Sequence, residues 1–393
     1  MIGLDNYNFS GKKALIRVDF NVPFVDGQVG DDTRIQAALP SIKKILADGG
    51  SVILMSHLGR PKGKDAKLTL APVAKHLDVL IENDVLFVQD CIGDEVKTAA
   101  SNLKAGQVLL LENLRFYAEE TAGDKAFAEQ LASLADVYVN DAFGTAHRAH
   151  ASTTIVAASF PNDKVAGYLL EKEIISIKKV LEEGKSPVLA IVGGAKVSSK
   201  LSILENLVEK VDEIIIGGGM AFTFLKSLGY AVGKSLIEED LLPVATQFLA
   251  SAKAKNVKIH LPMDVVCNTE FSNEGAITTK DVSEMADNEM GLDVGPNSSD
   301  LFDEAINRAN TILWNGPMGV FEMSSFAEGT IRIAKSVANR TDSGAFSVVG
   351  GGDSVTAVNK FKLSHKVSHV STGGGAMLEC IEGKILPGIE ALN

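Results

Sequence analysis

Apolar runs of strand length alternate with longer stretches of helical periodicity along almost the whole chain, and this alternation restricts the fold more than any other feature. In the first half the runs are ALIRVDF (14–20), SVILMSH (51–57), VLFVQD (85–90), QVLLLENL (107–114) and DVYVND (136–141). Between them lie helical segments such as TRIQAALPSIKKILADGG (33–50), whose closing glycines read as a C-cap. The second half repeats the pattern with PVLAIVGG (187–194), EIIIGGG (213–219), VKIHLP (257–262), TILWNG (311–316), AFSVVGGG (345–352) and HVSTGGG (369–375). Helices are expected over 196–210 and 324–340. Strand, helix, strand in this rhythm implies an α/β fold with parallel sheets covered by helices on both faces. At 393 residues the chain is long for one core, so two domains are expected. A turn cluster, SFPND (159–163), precedes a highly charged helical stretch, EKEIISIKKVLEEGKSP (171–187), that suits a connector between domains. The boundary is expected near residue 168.

Bulk composition excludes some functions. Hydrophobic residues make up 46% and charged residues 22%, as in ordinary globular proteins. The formal net charge of -12 argues against general affinity for nucleic acid or anionic membranes. It leaves an anionic small molecule open, because a cleft can be locally basic on an acidic protein. Three widely spaced cysteines, Cys91, Cys267 and Cys380, point to a reducing compartment without a disulfide framework. The opening MIGLDNYNFSGKK lacks the layout of a signal peptide, and no apolar run has the length of a membrane helix. A soluble cytoplasmic protein is expected.

Ligands of open α/β sheets bind beyond the carboxyl ends of the strands, and the two halves differ there. In the first half these ends carry cations. In ALIRVDFNVP (14–23), period-two alternation puts Arg17, Asp19 and Asn21 on one face and Val18, Phe20 and Val22 on the other. His57 and Arg60 follow the second strand, Arg115 the fourth, and His147, Arg148 and His150 the fifth, while Arg34 starts a helix in DDTRIQ. The chain has eight arginines; five are in this set, and none occurs between residues 149 and 307. Guanidinium forks suit phosphate and carboxylate, so the set reads as a site for a small, multiply charged acid. Taken singly, His57 and His150 read more readily as hydrogen-bonded structural histidines and Arg17 as a solvent-facing side chain, while Arg34 reads equally as an ordinary first-turn helix residue.

In the second half the strand ends carry glycine: VGGAKVSSK (192–200), IGGGMAF (216–222), VGGGDSV (349–355) and STGGGAM (371–377). Glycine lets backbone N–H groups approach a phosphate at a helix N-terminus. A single cluster is also what a tight βα turn needs. Neither GxxxxGK[ST] nor GxGxxG after the first strand is present. Lys196 and Lys200, four apart at an expected helix start, either reach a phosphate chain or form a solvated face. Asp353 is either an N-cap or a Mg²⁺ ligand. Glu322 is either a ribose partner or a surface acid, and Trp314 belongs to the core.

Together RVDFNVP (17–23), DDTRI (31–35), HLGRPKG (57–63), LLENLRF (110–116), DAFGTAHRAHAS (141–152), GGAKV (193–197), WNGPMGVFE (314–322), GGGDS (350–354) and STGGGA (371–376) resemble phosphoglycerate kinases, in family order over the whole chain. The resemblance implies two Rossmann-like, three-layer domains facing each other across a cleft. Residues 1–168 would bind 3-phosphoglycerate or 1,3-bisphosphoglycerate, and 169–375 would bind Mg²⁺ with ATP or ADP. Residues 376–393 would return to the first domain. It also implies that Asp19, Asn21, Arg34, His57, Arg60, Arg115 and Arg148 hold the phosphoglycerate. Arg17 and Lys196, with amides near Gly352 and Gly375, would steady the transferring phosphoryl group. Lys200, Gly291, Glu322 and Gly351, Gly352, Asp353 and Ser354 would hold the nucleotide, with Asp353 on Mg²⁺. A monomer is implied. Many relatives have an acid where Ser199 stands, although the lysine spacing is kept. Two other readings remain open on residues alone: a dehydrogenase, for which the nicotinamide fingerprint is missing, and a non-catalytic binding protein on the same scaffold.

Overall fold

The computed structural model describes residues 1–393. The chain forms two compact units, residues 1–174 with 385–393, and residues 175–384.

In the first unit seven parallel strands pair in the order Ile2–Gly3, Lys164–Ala166, Val137–Asp141, Lys13–Val18, Ser51–Met55, Val108–Leu110, Val85–Phe87. Ile2–Gly3 thus lies at one edge of the sheet, while Lys13–Val18, second in sequence, lies at its middle. Residues Ala14 to Val18 are all buried there, which is what a strand covered on both faces demands. Val18, Phe20 and Val22 point into a core with Ile35, Ile42, Leu54, Leu77 and Val139, while Asp19 and Asn21 stay half-exposed. The expected alternation therefore holds, although the strand itself ends at Val18. The register pairs Arg17 with Met55 on one side and Asn140 on the other. This brings the ends of three strands to one edge. The strands at 2–3 and 164–166 were not anticipated; two or three residues carry no periodicity to read. A hairpin, Phe24–Val25 with Gln28–Val29, was also missed. Its Asp26-Gly27 turn has both residues at positive φ, a recognisable two-residue hairpin signature.

The helix Tyr168–Leu181 carries the chain from one unit into the other. It starts earlier and ends sooner than the 171–187 stretch suggested. Its first turn is capped by the buried Asp141, whose Oδ1 accepts from Leu169 N at 2.9 Å and Leu170 N at 3.2 Å. The final segment returns at Ile385, not at 376. Gly388 N donates to Ala146 O at 2.8 Å, and Lys164 Nζ holds Asn393 O at 2.6 Å. The preceding helix, Gly375–Ile381, stays with the second unit, where Asn206 donates to Ile381 O and Met377 is fully buried.

The second unit contains a six-stranded parallel sheet ordered Lys258–His260, Glu213–Ile216, Val188–Val192, Thr311–Asn315, Phe346–Val349, His369–Val370. Trp314 lies fully buried in its core with Phe302, Ile312 and Val337. A separate antiparallel sheet joins Thr278–Asp281, Asp264–Asn268 and Met290–Val294. TTKD (278–281) is mostly exposed and has no apolar run, so sequence periodicity did not reveal it. No helix is long and apolar enough to cross a membrane.

Candidate active site

Arg17 is fully buried at the end of its strand. Nε donates to Ser152 Oγ at 2.8 Å, Nη1 to Val18 O, and Nη2 approaches His57 Nδ1 at 3.2 Å. A guanidinium only donates, so Nδ1 accepts and the His57 ring proton sits on Nε2. Burial, then the charges of Arg17, Arg115 and Arg34, push the His57 pKa well below its ordinary value. Asp19 lies between Arg34 and His57: Oδ2 is 3.2 Å from Arg34 Nη1 and Oδ1 3.8 Å from His57 Nδ1. That Oδ1 has no hydrogen-bond partner. Asn21 accepts from Gly59 N at 2.9 Å through its side chain, and from Arg34 Nη1 at 3.0 Å through its carbonyl. Arg34 sits in the first turn of the helix Thr33–Ala47, as expected.

A cavity of about 370 Å³ opens beside these residues, lined by Arg60, Lys62, Arg115, Tyr117, Thr121 and Arg148 among others, with no acidic side chain. Arg115 donates to Gly59 O at 2.7 Å through Nη1, while its buried Nε has no partner. Arg148 donates to His147 Nε2 at 3.1 Å. Burial and, after it, crowded cations both disfavour further positive charge here. Burial, then Arg17 and Arg148, lower the Arg115 pKa to about 10. Burial, then Arg115 and Arg17, lower that of His150 to about 4. A concave site in which positive charges repel one another and donors lack acceptors suits a small polyanion. All seven side chains expected to hold such an acid lie in the first unit, and Arg60, Arg115 and Arg148 share this one cavity.

The second unit builds its site from backbone. Gly193 and Gly316 are pressed together: a Cβ on Gly193 would lie 2.1 Å from Pro317 O. In the Gly350–Gly352 run each glycine has its own reason. A Cβ on Gly350 would strike Met377 Sδ, and Gly351 has φ +90°. Gly352 has neither constraint, with open space where its Cβ would go. It begins the helix Gly352–Lys360, so bare amides there face an approachable surface. Asp353 is exposed in that first turn, whereas Ser354 is buried and accepts from Gly316 N. Gly375 likewise opens a helix and is exposed.

Lys196 and Lys200 do not share a helical face. The helix begins at Leu201, and both lysines belong to the loop leading into it. Lys196 is exposed. The Lys200 ammonium turns inward to Asn315 Oδ1, and Asn315 Nδ2 donates to Gly350 O at 2.8 Å. Burial lowers the Lys200 pKa, and Asp353 opposes that shift. Gly291 is buried on the Met290–Val294 strand, where the Phe222 ring occupies the place of a Cβ and Ser235 Oγ accepts from its N at 3.0 Å. Glu322 is exposed beside the buried Phe321. No group of three or more His, Cys, Asp or Glu side chains converges to hold a metal. The donor set around Asp353, one exposed carboxylate, suits a cation that arrives with phosphate oxygens.

Sequence reasoning missed four supports. Glu120 and Ser152 stand behind Arg17, with Ser152 Oγ donating to Glu120 Oε1 at 2.6 Å. Asn113 ties the loop after the second strand through Leu58 N, Leu58 O and Leu68 O. Asn315 joins Lys200 to the Gly350 turn. Asn113 and Asn315 are polar residues at the end of apolar runs, and that mismatch is their only signal; Glu120 and Ser152 carry none.

The family model described as phosphoglycerate kinase matches residues 4–384. The phosphoglycerate kinase of Chloroherpeton thalassium is 52% identical over 391 residues, covering 99% of this chain and 98% of that protein. That of Nostoc punctiforme is 52% identical over 394 residues, covering 100% and 98%. The solved structure of phosphoglycerate kinase from Coxiella burnetii superposes with a TM-score of 0.92 at 43% identity, covering 100% of this chain and 98% of that one.

Proposed function

The chain belongs to the phosphoglycerate kinase family, a phosphotransferase of glycolysis with a carboxyl group as acceptor, and from that premise we propose how its residues divide the work. It transfers a phosphoryl group reversibly between 1,3-bisphosphoglycerate and ADP, giving 3-phosphoglycerate and ATP. The first unit holds the phosphoglycerate. Arg60, Arg115 and Arg148 take its phosphate in the cavity they share, and Asp19, Asn21, Arg34 and His57 take its hydroxyl and carboxylate. The second unit holds the nucleotide through Lys200, Gly291, Glu322 and the Gly351–Ser354 turn. The observation that carries this division is the acid-free cationic cavity on one unit against the unconstrained Gly352 amide turn on the other.

In phosphoryl transfer, charge spreads over three equatorial oxygens, so positioning and electrostatic stabilisation supply most of the catalysis. Arg17, Lys196 and the amides of Gly352 and Gly375 neutralise that charge. The acceptor in the ATP-consuming direction is a carboxylate, which has no proton to remove, so no general base is needed. His57 fits this, since its burial keeps it neutral and its Nδ1 is already occupied by Arg17. Asp353 would hold Mg²⁺ entering with the nucleotide, where the ion neutralises phosphate oxygens.

Donor and acceptor sites belong to different units. Transfer therefore requires closure that brings them in line and excludes water, with the helix Tyr168–Leu181 and its flanks as hinge. Equal radii of gyration with and without both substrates, in small-angle scattering, would count against that. The protein works as a cytoplasmic monomer on this reading. The deciding experiment is a coupled assay with ATP and 3-phosphoglycerate; ADP formation that requires both is expected, and tight NAD binding without turnover would favour a dehydrogenase instead.

A further inference from the structure

An arginine that touches a migrating phosphoryl group should be reachable, yet Arg17 has no exposed surface. Three of its five N–H groups are committed, and the three acceptors are not equal. Nη1 and Nη2 hold a neutral carbonyl and a neutral imidazole. Nε holds Ser152 Oγ, which donates in turn to the fully buried carboxylate of Glu120 at 2.6 Å. A hydroxyl polarised by a carboxylate is the stronger acceptor. An anionic oxygen that displaced the Val18 carbonyl or the His57 ring would leave the Nε contact in place.

We infer that Glu120, acting through Ser152, is a positioning residue that fixes Nε of Arg17 as a pivot, about which the two Nη groups exchange their neutral acceptors for phosphoryl oxygens. This rests on the phosphoryl-transfer reading above. Neither residue touches substrate; both act through Arg17.

Glu120 also has a plainly structural duty. Its Oε2 accepts from Ser152 N at 3.0 Å, and its carbonyl accepts from Ala151 N at 2.9 Å, so it staples residues 151–152 to the helix Ala118–Ala122. Ser152→Ala separates the two duties. It keeps both backbone bonds and removes only the hydroxyl relay.

The full chain is compared with Ser152→Ala and Arg17→Ala. Readouts are kcat, KM for ATP and for 3-phosphoglycerate, thermal melting, and the affinity of tetrafluoroaluminate for the protein with ADP and 3-phosphoglycerate. Loss of the pivot leaves the Nη groups of Arg17 poorly placed for the transferring group, and a misplacement of that kind predicts a fall in kcat of about 10- to 100-fold for Ser152→Ala. Tetrafluoroaluminate affinity should fall by a similar factor, with both KM values within about twofold and a melting point within about 5 °C. Unchanged kcat in Ser152→Ala, with Arg17→Ala strongly impaired, overturns this inference and spares the phosphoryl-transfer reading. So does a kcat loss matched by a loss of 3-phosphoglycerate binding, since that would mark a staple and not a pivot. No turnover by the unaltered protein overturns both.

Discussion

Asn315 offers the sharpest test of the nucleotide half. It is almost fully buried and serves two partners, the Lys200 ammonium through Oδ1 and the Gly350 carbonyl through Nδ2. Asn315→Ala removes both bonds and leaves a partly desolvated ammonium and a carbonyl without their partner. A hydrogen bond to a charged group contributes about 1.5–3 kcal/mol and a neutral one about 1 kcal/mol. Together that is roughly 3 kcal/mol, and the geometry says where it is felt: the two groups set the position of Lys200 and of the turn preceding Gly352. Expressed fully in nucleotide use, kcat/KM for ATP should fall by about 150-fold, and by at least about tenfold if only part of it is felt there. KM for 3-phosphoglycerate should stay within about twofold, because Asn315 and the cationic cavity belong to different units. Steady-state kinetics with each substrate varied, alongside melting curves, gives both numbers. Lys200→Met, which leaves the bond from Asn315 to Gly350 intact, should show a smaller loss of stability with a comparable loss in ATP use. An ATP kcat/KM within about twofold of the unaltered protein, or an equal effect on 3-phosphoglycerate, would refute the reasoning.

Three further perturbations follow from buried groups and close contacts. Burial raises the Asp141 pKa from 3.8 to about 6, so ionisation becomes increasingly unfavourable in the folded state as pH rises through that window, reaching about 3 kcal/mol above it. The stability of Asp141→Asn relative to the unaltered protein should therefore improve by about 1–2 kcal/mol between pH 5 and pH 8, as read from urea midpoints; a pH-independent difference would count against it. Gly193→Ala forces a methyl against the Pro317 and Gly316 carbonyls and should cost about 3 kcal/mol or prevent accumulation. Gly352→Ala meets nothing and should melt within about 2 °C of the unaltered protein while raising KM for ATP. Equal stability losses for the two would remove the case for Gly352 as an approach surface.

The α/β class and the parallel order of the long strands were legible because an interior parallel strand must be apolar throughout, as LIRV in Lys13–Val18 nearly is. The antiparallel sheet was not, because TTKD stands exposed and carries no apolar run to read. The unit boundary shifted for a similar reason. Lys164–Ala166 looks like loop in sequence, yet it joins the first sheet, and the helix after it is capped by Asp141 from that same sheet. The cation set was readable from the scarcity of arginine. That Arg17 lies sealed behind Ser152 and Glu120 was not, since Ser152 is 135 residues from Arg17 and Glu120 is 32 residues from Ser152 in the chain. Lys196 and Lys200 have the spacing of one helical face, but a loop precedes Leu201, and spacing alone does not distinguish the two.

The most direct measurement is the turnover of Arg17→Ala, with Arg17→Met as a volume control for the buried site, at saturating ATP and 3-phosphoglycerate. An arginine that neutralises a transferring phosphoryl group is worth about 10³- to 10⁵-fold in rate in other phosphoryl transferases. A drop in kcat of at least about 10³-fold, with 3-phosphoglycerate binding by calorimetry retained, is expected. A folded variant that keeps kcat within about tenfold would contradict the assignment of Arg17 to the reacting group.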